Sequence, residues 1–271
     1  MEQQVLTRDY LKEKVPAVFA KKPLITLSDR YTHVSTEKIV DYFGEMGWHP
    51  VTAFQAKNTK KAVDPNVKKH LIRFANEKYD SIMKNEGSLS PNLLLMNSHN
   101  GTSKVWLAAG IFRMVCANGL VVADNMFGSV LKRHSGERDE IFEAVYKVER
   151  NFENVWSKVD EYCSIQLTQR QRLDFAVKAI ELNWGENTVI TPEEVLKTRR
   201  VEDENKSLWS TFNVLQENIM KGGVQYMRPF RGVNKIRQTR EIKNDIRNVN
   251  FNSELWMLME AFRTNRHFKV R

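Results

Sequence analysis

Residues 91–107 read PNLLLMNSHNGTSKVWL, and this stretch decides the fold class. Leu93 to Met96 is the strongest β signal in the chain, an unbroken apolar run bounded by turn residues. Asn100-Gly101 follows. Both residues tolerate positive φ, so the pair predicts a type I′ hairpin with Lys104 to Leu107 as the returning strand. Downstream, 110–116 continues as strand or short helix, which periodicity does not decide, and Asn118-Gly119 predicts another turn.

Working outward toward the N-terminus, 51–56 (VTAFQA) alternates as a strand, with Val51, Ala53 and Gln55 on one face and Thr52, Phe54 and Ala56 on the other. Residues 57–68 are polar and Lys-rich, a loop or hairpin tip, and His70 to Phe74 can return as a strand. Before them, 36–47 places Ile39, Phe43 and Met46 at helical spacing behind Ser35 or Thr36 as N-cap, and Trp48-His49-Pro50 ends that helix.

Toward the C-terminus the period changes. Ile141, Val145, Val148, Phe152, Val159 and Tyr162, together with Val155, recur at steps of four and three, the apolar seam of one long core helix. Thr168 with Gln171 predicts a capping box for a helix through Leu182. Thr191-Pro192-Glu193-Glu194 predicts a capped short helix to about Lys197. Ser207 to Lys221 is helical, with Leu208, Phe212, Leu215 and Ile219 facing the core and Gly222-Gly223 as the stop. Residues 224–248 read as a basic loop, and Asn252 to Arg263 as the last helix.

The expected class is therefore α+β: an N-terminal antiparallel sheet with a packed helix, then a mainly helical C-terminal half. The domain reading is 1–138 as the α+β part and 139–271 as a helical region with a basic loop, packed together as one unit.

Composition narrows the function. The chain has 271 residues, 41% apolar and 28% charged, enough for a packed core without staples. Its two cysteines, Cys116 and Cys163, are far apart and form no CxxC, which argues against a disulfide framework or a cysteine-rich zinc site. The N-terminal residues do not read as a secretory signal, and no stretch is apolar enough to span a membrane. A cytoplasmic protein without membrane contact is expected. A net charge of +9 favours polyanions such as nucleic acid.

Three groups of residues can carry function. The first is basic with interleaved aromatics: Tyr226, Arg228, Phe230 and Arg231, continued by Lys235, Arg237 and Arg240. Cations neutralise phosphates and aromatics stack on bases, and 221–248 carries a net charge of +6. Lys57, Lys60, Lys61, Lys68 and Lys69 form a second basic cluster that could wall the same groove.

The second group lies on the 207–221 helix. Trp209, Asn213, Gln216 and Glu217 sit beside the core stripe, and amides there need partners. They form either a ligand surface or a polar network that holds Arg199 and Arg200.

The third is Cys116 with His99 or His134, the ingredients of a thiol nucleophile and base. The cysteine sits in an apolar run, the environment of an inert thiol, and His99 beside Asn-Gly reads as an exposed loop residue. No HExxH, Walker or GxGxxG motif is present, so no metal or cofactor is expected.

Taken jointly, Arg199-Arg200-x-x-Asp203, Leu208-Trp209-x-Thr211-x-Asn213-x-x-Gln216-Glu217-Asn218 and Gly222-Gly223 resemble the C-terminal motif of an uncharacterised family borne by phages and plasmids, domain of unknown function 932. Asn97 to Ser103, the 112–120 segment and Arg133-His134-Ser135-Gly136 are similar to that family's upstream motifs. Asn100 departs from the pattern, which has an acidic residue at the turn, and this weakens any catalytic role there. The resemblance implies a bacterial mobile-element setting and supplies no activity.

The function expected is a non-catalytic accessory protein of a mobile element that binds nucleic acid, with single-stranded DNA as the form considered. Two alternatives remain. One is an antagonist of host defence that binds a host protein through the Trp209 face or the charged loops. The other is a hydrolase or transferase using Cys116 with His99 or His134. The sequence leaves the oligomeric state open.

Overall fold

A computed structural model describes residues 4–25, 27, 31–56, 64–80, 89–113, 118–120, 128–130, 138–230, 233–243 and 245–264. The chain divides into two compact units, Met1–Phe152 and Glu153–Arg271.

The first unit is built on an antiparallel sheet. Its strands are β1 (His49–Gln55), β2 (His70–Ala75), β3 (Leu89–Asn97) and β4 (Trp106–Arg113), paired in that order. Two short strands, β5 (Asn118–Leu120) and β6 (Gly128–Val130), both pair with β4. Helices α1 (Arg8–Lys14) and α2 (Thr36–Glu45) precede the sheet, and a single turn, α3 (Glu77–Asp80), follows β2. Leu93, Leu94 and Leu95 are all buried, because β3 is central and covered on both faces. The expected α2 forms with Ser35 as its cap, accepting from the Lys38 amide. Phe43 from this helix meets Phe74 of β2 edge-on at 4.8 Å. Trp48 is fully buried, stacks on Tyr79 and donates its indole N–H to Glu149 at 2.9 Å.

Several local expectations change. The connection from β3 to β4 is not a two-residue turn but spans 98–105. Ser98 shapes it: its hydroxyl accepts from the Ser103 amide at 2.8 Å and donates to the Ser103 carbonyl at 3.1 Å. A side chain therefore closes the loop where a type I′ turn would have used backbone alone. Asn118-Gly119 is not a turn, because both residues pair with β4. Arg8–Lys14 is helical, with Thr7 as cap, although its high charge gave no such signal. Its one buried residue is Leu11.

The second unit is mainly helical. Helix α4 (Arg138–Ser164) contributes residues to both units, and every described residue of its seam is buried, from Ile141 to Tyr162. Helix α5 (Gln169–Trp184) opens on the full capping box, Thr168 with Gln171. Helix α6 (Pro192–Val195) is shorter than expected, and Thr191 makes no capping hydrogen bond. Helix α7 (Leu208–Lys221) is capped by Ser207. Helix α8 (Asp245–Thr264) begins well before Asn252, because Asn252 donates back to the Asn248 carbonyl at 2.8 Å and keeps an Asn-rich stretch helical. Phe251, Leu255, Trp256, Met259 and Phe262 form its buried face.

The largest change falls on 224–248. Instead of a loop, it contains β7 (Gln225–Phe230) and β8 (Val233–Gln238), a two-stranded antiparallel ribbon. Among the described residues, no helix is long and apolar enough to cross a membrane.

Candidate nucleic-acid interface

The ribbon is largely exposed among the described residues. Every residue of β8 is exposed. The register pairs Tyr226 with Arg237 and Arg228 with Lys235, and directly opposed residues in an antiparallel pair share one face. Because alternate positions point the same way, Tyr226, Arg228, Lys235 and Arg237 lie together. The opposite face carries Gln225, Met227, Asn234, Ile236 and Gln238, without charge. Met227 and Ile236, opposed in the register, are 63% and 67% exposed. Arg228, Lys235 and Arg237 are exposed and Tyr226 is half-buried. Phe230 pairs with Val233 through its backbone. Its side chain, and the whole of Arg231, lie outside the described residues. Arg240 is exposed just past the end of β8.

Like charges directly opposed across two strands repel. Lysine on an edge strand resists edge-to-edge association, which accounts for a charge on β8. That reason does not require Arg228 to stand opposite Lys235.

The root of the ribbon is fixed firmly. Gly222 ends α7 at φ 69° and ψ −155°, a conformation essentially confined to glycine, and its N–H reaches the Asn218 carbonyl at 3.1 Å. The chain leaving β8 returns against it: Gly223 donates to the Thr239 carbonyl, Thr239 to the Val224 carbonyl, and Ile242 to the Met220 carbonyl, each at 2.9 Å. The Thr239 hydroxyl accepts from the Val224 amide at 3.1 Å.

The polar motif lies directly behind this root. Arg199 donates to Asn218 Oδ1 and to the Gly222 carbonyl. Asn218 uses its amide N–H groups on the Val195 and Lys197 carbonyls, at 2.7 and 2.8 Å. Arg200 forms a two-point bond to Glu217, at 2.8 and 3.1 Å, and Lys221 meets the same carboxylate at 2.8 Å. Burial pushes the Glu217 carboxyl up, but the bonds from Arg200 and Lys221 outweigh it and hold the group below its ordinary value. Gln216 donates to Asn252 at 2.8 Å. Asn213 donates to the Trp209 carbonyl at 2.8 Å. Asp203 is buried at the end of the short 3-10 turn Val201–Asp203.

Helix α7 is buried on all sides, from Leu208 to Met220, rather than along one stripe. Helices α5, α6 and α8 all pack against it. Trp209 is 1% exposed, stacked on Phe212 and edge-on to Trp256, so it presents no surface to a partner.

The thiol constellation is not assembled among the described residues. Cys116 and His134 lie outside them. His99 is not an exposed loop residue: it is fully buried beside His33 and His70, with ring centroids 4.6 and 5.4 Å away. The Thr36 hydroxyl organises the cluster, lying 2.9 Å from His70 Nε2 and 3.4 Å from His99 Nε2 and accepting from Asn97 at 2.9 Å. His70 Nδ1 lies 2.8 Å from the Lys68 carbonyl, which fixes Nδ1 as the protonated nitrogen and leaves Nε2 to accept from Thr36. Burial lowers all three imidazoles, His70 to about 4 and His99, helped by its two neighbours, to about 3. These are neutral structural histidines that fasten the β3–β4 loop to α2. Among the described residues, no group of histidine, cysteine or acidic side chains is placed to hold a metal ion. Of the second basic cluster, Lys57, Lys60 and Lys61 lie outside the described residues, while Lys68 is buried and donates to the Ala56 carbonyl at 3.2 Å.

The residues alone did not reveal the ribbon or the histidine cluster, although Gly222 ends α7 as expected. The ribbon's available signal was the alternation of cation and neutral residue over Lys235 to Gln238, behind Arg231-Gly232 as a turn.

Fold and site define an α+β protein with an exposed, one-sided basic ribbon rooted in a network of two arginines with a buried amide and a buried carboxylate. The chain belongs to the family described as a domain of unknown function (DUF932), which matches residues 23–256. It is similar to two proteins of Escherichia coli (strain K12), the UPF0380 proteins YafZ and YfjQ. Each is 33% identical over 264 residues, covering 96% of this chain and 92% of the relative. No solved structure matches it.

Proposed function

We propose that this chain is a non-catalytic accessory protein of a mobile genetic element, one that binds nucleic acid through the β7–β8 ribbon. The observation that carries the reading is the gathering of Arg228, Lys235 and Arg237 with Tyr226 on one exposed face. A polyanion offsets the repulsion between opposed cations, and association releases its condensed counterions. The rigid root supports the same reading, because a surface already ordered loses less freedom on binding. The mobile-element setting draws on the motif resemblance.

Binding measured by mobility shift across a salt series tests the proposal. Affinity should fall steeply with salt and drop when Arg228, Arg231 and Arg237 are changed to alanine. Binding indifferent to both salt and these changes would sink it.

A second reading, an antagonist that docks on a host protein, is favoured by the uncharged face, where Met227 and Ile236 are exposed side by side. Capture of a host protein that survives nuclease treatment and is lost in the Met227→Ser, Ile236→Ser double variant would support it over the first. For an enzyme built on Cys116, His99 offers no free base because it is committed to the buried cluster, and the alternative base His134 lies outside the described residues.

A further inference from the structure

We infer that the β7–β8 ribbon is a groove reader of B-form duplex DNA, inserting its Tyr226–Arg228–Lys235–Arg237 face into the major groove. The inference rests on the nucleic-acid reading above and adds the substrate class.

Shape is the first argument. Two six-residue strands at about 3.3 Å per residue make a ribbon roughly 20 Å long. With strands about 4.8 Å apart and side chains added, its cross-section suits a B-form major groove, about 12 Å wide and 8.5 Å deep. Exposure at every position of β8 means that its described protein surroundings leave the second strand uncovered for entry.

Sidedness is the second. A generic polybasic segment distributes charge all round, whereas here the described cations of β7 and β8 fall on one face and amides with aliphatic side chains on the other. Such a ribbon has one electrostatically favoured orientation. Arginine and lysine on the inserted face match the O6 and N7 acceptors of guanine, the commonest specific contact in that groove. Arg240, exposed beyond β8, is placed for a flanking phosphate.

Other nucleic acids match this face less well. Sequence-tolerant binding of single strands uses aromatic faces in series. On the cationic face the register leaves Tyr226, which is half-buried, and Phe230 as the aromatic positions beside the three cations. An RNA duplex is disfavoured because its A-form major groove is too deep and narrow for side chains to read.

Fluorescence anisotropy of the full chain with one labelled sequence, presented as single-stranded DNA, DNA duplex and RNA duplex, tests the inference. The DNA duplex should bind about tenfold or more tightly than either alternative, in line with the span between specific and weak complexes. Dimethyl sulfate footprinting should show guanine N7 protected on the duplex, with protection lost in Arg228→Ala and Arg237→Ala, whose circular dichroism should match the parent. Equal or tighter binding to the single strand or the RNA duplex overturns the groove assignment while leaving nucleic-acid binding intact. Duplex binding without N7 protection overturns it too. Absence of salt-sensitive binding to all three probes overturns both proposals.

Discussion

Gly222 passes so close to Arg240 that a β-carbon built on it would stand 2.6 Å from the Arg240 carbonyl carbon. The adjoining Glu241 nitrogen and Thr239 oxygen would each lie 2.7 Å away. All three are backbone atoms, so no flexible side chain can give way. Gly222→Ala should therefore lower stability by about 2 kcal/mol or more, from positive-φ strain plus displacement of the ribbon root. Denaturant melts would show it, and hydrogen exchange at the Thr239 amide should accelerate. Unchanged exchange there would mean the root is not held by this contact.

Arg200 and Glu217 form a pair whose carboxylate side is 4% exposed and whose guanidinium is 24% exposed. Removing the arginine leaves a nearly buried carboxylate that still meets Lys221. Arg200→Ala should cost about 2–4 kcal/mol, toward the low end because the arginine retains solvent contact. A double-mutant cycle with Glu217→Gln should show coupling, since the isosteric amide carries no stranded charge. Additive losses would contradict a functional pair at this site.

The histidine cluster makes stability depend on acid. An unfolded imidazole titrates near 6.5, while burial holds folded His70 at about 4. Between these values the unfolded chain binds the extra proton and the folded chain does not, so acid favours unfolding. The contribution is full above about pH 6.5, and up to about 3 kcal/mol is lost as pH falls toward 4. Chemical denaturation at a series of pH values should show this slope, reduced in His70→Gln. An identical slope in that variant would assign the acid sensitivity elsewhere.

On the ribbon, single Arg228→Ala and Arg237→Ala changes should leave the melting transition nearly unmoved, within about 0.5 kcal/mol, because both side chains are exposed. Each should nonetheless weaken duplex binding by about 1–3 kcal/mol, the loss of one base contact, whereas Arg240→Ala should reduce the slope of log affinity against log salt by about 0.9, the loss of one phosphate contact. A large stability change in Arg228→Ala or Arg237→Ala with no loss of affinity would make these residues structural.

Local order was legible in the residues alone. Ser35, Thr168 and Ser207 cap their helices because a hydroxyl within three residues of an unpaired amide needs nothing distant. The α4 seam and the β2–β3–β4 strands follow from short-range apolar patterning for the same reason. The ribbon stayed hidden because both its faces meet solvent, so no alternation of apolar with polar residues marks it. Trp209 and the amides of α7 pointed to either a surface or a network. The tertiary structure decided for burial, because α5, α6 and α8 close over the helix from every side. His99 likewise took its character from His33, Thr36 and His70, residues far away in the chain that only folding brings against it. The sequence by itself determined which segments are helix or strand in the core and which family the chain resembles. Only the tertiary structure decided which polar groups are solvated and free to act, because burial is a property of neighbours that sequence spacing does not encode.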